Sequence, residues 1–134
     1  MNAVGIDVSK GKSTVVVLRP FGEVVAVPYD VEHTATELKK LADFLKSLPG
    51  ETRVLMEYTG HYYEPVARYL HEEGIYVSVI NAILSHDYNK NSIRKAKTDK
   101  IDAIKLASMA LDRWLDLQEY IPEDEVRQTL NVCN

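Results

Sequence analysis

Two tight turns within residues 4–27 constrain this chain more than any other feature. Val4 to Val8 alternates, with Val4, Ile6 and Val8 on one side and Gly5 and Asp7 on the other. Lys10-Gly11-Lys12 turns the chain, and Val15-Val16-Val17-Leu18 follows as an unbroken β-branched run, the pattern of a strand covered on both faces. Arg19-Pro20-Phe21-Gly22 is a β-turn signal, with Pro second and Gly fourth. Val24-Val25-Ala26-Val27 comes next and is closed by Pro28. Connections this short leave no room for a crossover, so the three runs form an antiparallel meander.

Beyond residue 33 the period changes. Thr34-Ala35-Thr36-Glu37 has the form of a capping box, Leu38, Leu41, Leu45 and Leu48 recur at helical spacing, and Pro49-Gly50 stops the helix. A strand over Arg53–Glu57 leads to a helix marked by Tyr62, Val66, Tyr69 and Leu70 and closed by Gly74. Ile75 to Ile80 is a fifth strand. A third helix is expected from about Asp99 to Leu115, with Ile101, Ile104, Ser108, Leu111 and Leu115 on its apolar face. Pro122-Glu123-Asp124-Glu125 begins another, with Val126, Leu130 and Cys133 opening a stripe. The order β-β-β-α-β-α-β-α predicts an α/β fold with a five-stranded mixed sheet and flanking helices. That order belongs to RNase H-like nucleases and also to actin-like ATPase lobes, and fold alone does not choose.

The 134 residues suffice for one domain. We expect residues 1–120 to form it and residues 121–134 to begin a truncated linker helix leading to a further domain. No apolar run is long enough to span a membrane, and the acidic Asp7 breaks the pattern of a secretory signal. A lone Cys133 fits a reducing, cytoplasmic setting. His33, His71 and His86 lack metal-ligand spacing, so no zinc site is expected. A net charge of −4 argues against binding nucleic acid over the whole surface. Locally, Lys90, Arg94, Lys95, Lys97 and Lys100 face only Asp99 between Tyr88 and Lys100, a patch suited to a phosphate backbone.

Four acids carry the candidate chemistry. Asp7 interrupts the first strand, Glu57 ends the fourth, and Asp99 and Asp102 stand three apart on one helix face. With the first and fourth strands adjacent, all four converge. Carboxylates so crowded repel unless a counter-ion joins them, and hard divalent cations with oxygen ligands are that counter-ion. Such ions clamp the oxygens of a phosphodiester.

Gly5-Ile6-Asp7-Val8-Ser9-Lys10, Glu57-Tyr58-Thr59-Gly60-His61-Tyr62 and Lys97-Thr98-Asp99-Lys100-Ile101-Asp102-Ala103 resemble the three motif blocks of the DEDD transposases. These are RuvC-like recombinases of bacterial insertion sequences, related to the Piv invertase (the "IS one-ten" family). The resemblance implies that Asp7, Glu57, Asp99 and Asp102 are a catalytic tetrad binding Mg2+ or Mn2+ for DNA strand cleavage and exchange. It implies DNA as substrate, a guide (bridge) RNA as partner in some members, a homo-oligomer in the full-length protein, and a serine nucleophile in a C-terminal domain beyond this chain. Alternatives are a Holliday-junction-resolvase-like nuclease, an actin-like ATPase lobe, and a non-catalytic RNA-binding domain with vestigial acids.

Overall fold

The structure is a computed structural model that describes residues 1–58, 60–81 and 98–122, with backbone alone for residues 98–101. Five strands, β1 (Asn2–Val8), β2 (Lys12–Arg19), β3 (Glu23–Glu32), β4 (Thr52–Tyr58) and β5 (Tyr76–Asn81), lie in the order β3-β2-β1-β4-β5. The meander is antiparallel throughout, whereas β4 runs parallel to β1 and β5 parallel to β4. The expected mixed sheet is therefore present, and β1 is its central strand. Helices α1 (Ala35–Ser47), α2 (Tyr63–Glu72) and α3 (Thr98–Asp112) complete the β-β-β-α-β-α-β-α order.

Local chemistry places the helix ends. The Thr34 hydroxyl accepts the Glu37 N–H at 3.2 Å, satisfying a donor that the first turn of α1 leaves over. At the end of α2, the Gly74 N–H reaches His71 O at 3.0 Å and the Ile75 N–H reaches Leu70 O at 3.1 Å. This double closure requires a left-handed residue, and Gly74 supplies it at φ 84°.

The third strand departs from expectation. It does not end at Pro28 but runs to Glu32. Val15 pairs with Tyr29 and Val17 with Ala26, so Val27 and Pro28 together face Val16 in a bulge. An edge strand tolerates a residue without an N–H at such a point, because no ladder bond is lost there. In the preceding turn, Phe21 rather than glycine alone takes positive φ (65°) and stands fully exposed.

The sheet has two unlike faces. Val4, Ile6, Val15, Val17, Val54 and Met56 point one way, into a core completed by Leu38, Leu41 and Leu45 of α1 and Val66 and Leu70 of α2. Ala3, Val16 and Leu55 point the other way, toward α3. Here the expected helix face is wrong in part: Leu111 packs against this core as expected and the side chain of Ile101 lies outside the described residues, but the rest differs. The residues turned inward are Ala103, Leu106, Ala107, Met109 and Ala110, while Ile104 is 39% exposed and Leu115 90% exposed. The reason lies in Gly5. A Cβ placed there would meet Ala103 O at 2.0 Å and Ala107 N at 2.6 Å. The helix backbone lies directly on the strand, and only small residues fit between them. Leu115 falls outside the stripe because α3 ends at Asp112 and Trp114–Asp116 forms a separate 3-10 turn.

Candidate active site

Strand register brings the first two acids together. The last paired residues of β1 and β4 are Ile6 and Met56, and Asp7 and Glu57 are the next residue on each. Both lie at the carboxyl ends of parallel strands, where open α/β sheets place their ligands. Alternation puts both on the α3 face, since Gly5 and Leu55 two residues earlier touch or face that helix.

Two contacts fix the direction of α3. Arg53 Nη1 donates to Trp114 O at 2.6 Å, which fixes the carboxyl end of the helix near the start of β4. Gly5 lies under Ala103 and Ala107. The helix therefore runs antiparallel to β1, and its first turn, which carries Asp99 and Asp102, points toward the Asp7 end of the sheet. Arg53 secures this arrangement from a side chain 17% exposed. Its guanidinium lies 4.4 Å from the Tyr76 ring centroid and 5.0 Å from that of Trp114.

Asp7, Glu57 and Asp102 are half-buried, and each is engaged by a neighbouring group. Among the described residues, no group of three or more Asp, Glu, His or Cys side chains is placed to hold a metal ion. The side chains of Asp99 and Lys100 lie outside the described residues, as do Lys90, Arg94, Lys95, Lys97 and the segment of Val126, Leu130 and Cys133. His61 is exposed, and its carbonyl accepts the Glu64 N–H at 3.3 Å at the entry to α2.

The sheet also aligns residues that the sequence did not mark. Thr14 pairs with Asp7 and with Asp30, so Asp30, Thr14 and Asp7 form one row on the α3 face. Thr14 is buried and donates from Oγ1 to Asp30 Oδ1 at 3.2 Å. Asp30 Oδ2 also pairs with Lys12 Nζ at 3.5 Å. The polar spacing of Lys12 and Thr14 ahead of the valine run was the available signal for this row.

This sheet order, with carboxylates at the ends of its central parallel pair, defines the RNase H-like fold in its RuvC-like form. Among solved structures, Thermus thermophilus RuvC in complex with a Holliday junction substrate matches at a TM-score of 0.61 and 12% identity, covering 90% of this chain and 99% of that one. Another Thermus thermophilus RuvC structure matches at 0.57 and 13% identity, covering 90% of this chain and 100% of that one. Residues 4–134 match the family model of the DEDD transposases of the IS110 type, described as "Transposase", and the chain belongs to that family. Comparison with curated proteins returns no significant match. No described helix is long and apolar enough to cross a membrane.

Proposed function

We propose that this chain is the metal-dependent N-terminal catalytic domain of an insertion-sequence DNA transposase, acting in DNA strand cleavage and exchange. The observation that carries this reading is the placement of Asp7 and Glu57 side by side on β1 and β4, with the first turn of α3 directed at the same end of the same face. Membership of the transposase family supports it and displaces the ATPase-lobe alternative.

In this reading Asp7, Glu57, Asp99 and Asp102 hold Mg2+ or Mn2+. The donor set is all carboxylate oxygen, which suits a hard divalent cation and not zinc. When bound, the metal supplies counter-charge and polarises a phosphodiester oxygen. The chain's own part is to hold the acids at one end of a rigid sheet and to orient the nucleic-acid strand. Lys90, Arg94, Lys95, Lys97 and Lys100 contact its backbone, and a guide RNA is a candidate second ligand for that segment. Residues 1–120 are the catalytic domain and residues 121–134 the start of a linker, and the full-length protein works as a homo-oligomer. The RuvC likeness favours one second reading, a junction-resolving nuclease that needs no further domain.

Titration with magnesium tests the proposal. Metal is expected to raise the melting temperature through linkage, and Asp7→Asn to abolish that rise. The metal-free variant should be as stable as the wild type or slightly more so, because a repelling charge is removed. Strand transfer by the full-length protein should be lost with the same change. A destabilisation of about 3–5 kcal/mol in the metal-free variant would instead mark Asp7 as one half of a structural pair. Cleavage of a four-way junction by the isolated chain would favour the resolvase reading.

A further inference from the structure

The turn that follows Asp7 borders the acid pair but supplies none of its members. The chain passes from β1 to β2 through Ser9, Lys10 and Gly11, and Lys12 opens β2. This turn is held in place. The Ser9 N–H donates to Lys12 O at 2.9 Å, the His33 N–H donates to Gly11 O at 3.0 Å, and Ser13 Oγ lies 2.7 Å from His33 Nε2. Gly11 takes φ 81° with open space around it, so the tip faces outward.

Lys12 stands two residues before Thr14, the partner of Asp7, and therefore leaves the sheet on the same face as Asp7. Strand spacing and rise put the Cα atoms of Lys12 and Asp7 about 8 Å apart, within reach of the lysine side chain. Lys10 is exposed in the turn beside it. The acids facing Lys12 are Glu32, directly opposite in register and exposed, and Asp30, which holds Nζ at 3.5 Å. The Lys12–Asp30 pair is more than half exposed on both sides. Such pairs hold their partners weakly, so the ammonium exchanges readily onto another anion. Asp30 keeps the Thr14 hydroxyl as a donor when Lys12 leaves, so the exchange strands no acceptor.

We propose that Lys12, with Lys10 beside it, binds a backbone phosphate of the DNA strand lying over Asp7 and Glu57, and that Asp30 is the anion Lys12 gives up to do so. This rests on the nucleic-acid-binding reading of the site. It adds a contact point on the opposite side of Asp7 from β4.

The test is binding of a labelled DNA duplex by the whole chain, followed by fluorescence anisotropy over a range of salt in the presence of magnesium. Lys12→Ala should weaken binding roughly tenfold, as for loss of a charge-assisted bond. It should also reduce the slope of log affinity against log salt by about 0.9. Lys12→Gln, which removes the charge but keeps a polar side chain one atom shorter, should do the same. Asp30→Asn retains the acceptor for Thr14 and should tighten binding about two- to fivefold. That gain should vanish when Lys12 is already Ala, because the two act as one unit. An unchanged slope in both Lys12 variants, or an Asp30→Asn gain that persists without Lys12, overturns the inference while leaving the site reading intact. Absence of salt-dependent binding by the wild type overturns both.

Discussion

The two faces of the sheet are built on opposite packing rules. Under α1 and α2, branched and long side chains interlock: Val4, Ile6, Val54 and Met56 from the strands meet Leu41, Leu45, Val66 and Leu70 from the helices, all nearly or fully buried. Under α3, the contact at Gly5 is backbone on backbone, flanked by Ala3, Ala103, Ala107 and Ala110. The first face can trade volume between neighbours and still close. The second has no volume to trade, so the height of α3 above β1 is set by the absence of a side chain. Asp7 and Glu57 lie on this second face and Asp102 is carried by α3, so a small displacement of the helix alters their separation.

Substitutions on each face test this contrast. The largest loss of stability is expected on the interlocked face. Leu70→Ala removes a fully buried side chain and should cost about 2–5 kcal/mol in urea unfolding, through lost transfer energy and a residual cavity. Its effect should be global, leaving the magnesium-induced rise in melting temperature in place at temperatures where the variant is folded. Loss of that rise by the folded variant would show that the faces are not independent.

Gly5→Ala should cost less stability and more function. The added methyl meets a main-chain carbonyl that has no rotamer to move into, so α3 must lift. Overpacking of this kind costs about 1–3 kcal/mol. The magnesium response should fall away together with strand transfer by the full-length protein. A Gly5→Ala protein that binds metal as the wild type does would remove Gly5 from the positioning of the site and reduce it to a packing residue.

Arg53→Lys probes the other end of the same helix. Lysine keeps the charge but loses the planar stack between Tyr76 and Trp114 and the short bond to Trp114 O. A loss of about 1–2 kcal/mol is expected, the scale of a desolvated cation–π contact. Hydrogen exchange should rise first near Trp114 and not in α1. Equal loosening of both regions would mean that the helix is not independently pinned.

Much of this architecture was legible from local signals. The Lys10–Lys12 and Arg19–Gly22 turns dictated the meander, and Thr34 and Gly74 bounded their helices because capping chemistry is local. The adjacency of Asp7 and Glu57 followed from strand order alone. The orientation of α3 was not legible. Ile104 and Leu115 outweighed the alanines in the apolar pattern, yet Ala103, Ala107 and Ala110 face the sheet, because Gly5, nearly a hundred residues away, admits only small partners. Pro28 misled for a similar reason: whether a proline ends a strand or sits in an edge bulge depends on the register with Val15 and Val17. The row from Asp30 through Thr14 to Asp7 exists only once that register is known.

The smallest predicted effect joins the rigid β1–β2 turn to pH. His33 packs its ring against the start of β2, with Nε2 2.7 Å from Ser13 Oγ, and burial lowers its pKa below the usual imidazole value. The unfolded chain thus takes up a proton at this site at a higher pH than the folded one does. Where the unfolded state binds more protons, stability rises with pH. The contribution of His33 is therefore fully present above the unfolded value of about 6.5 and is lost as pH falls toward and through the folded value. His33→Gln keeps a side-chain hydrogen-bonding group but cannot titrate. Urea unfolding of both proteins at a series of pH values between about 7.5 and about 5 isolates the histidine as a difference, since the shared carboxylates cancel. The wild type should lose stability faster than the variant on acidification, by a fraction of the whole because the ring is partly exposed. The same acidification should loosen the turn that carries Lys10 and Lys12, seen as faster amide exchange at His33 and Ser9, whose N–H groups close it. Parallel stability curves for the two proteins would show that the Ser13–His33 contact survives protonation, and that this turn is held by its backbone bonds alone.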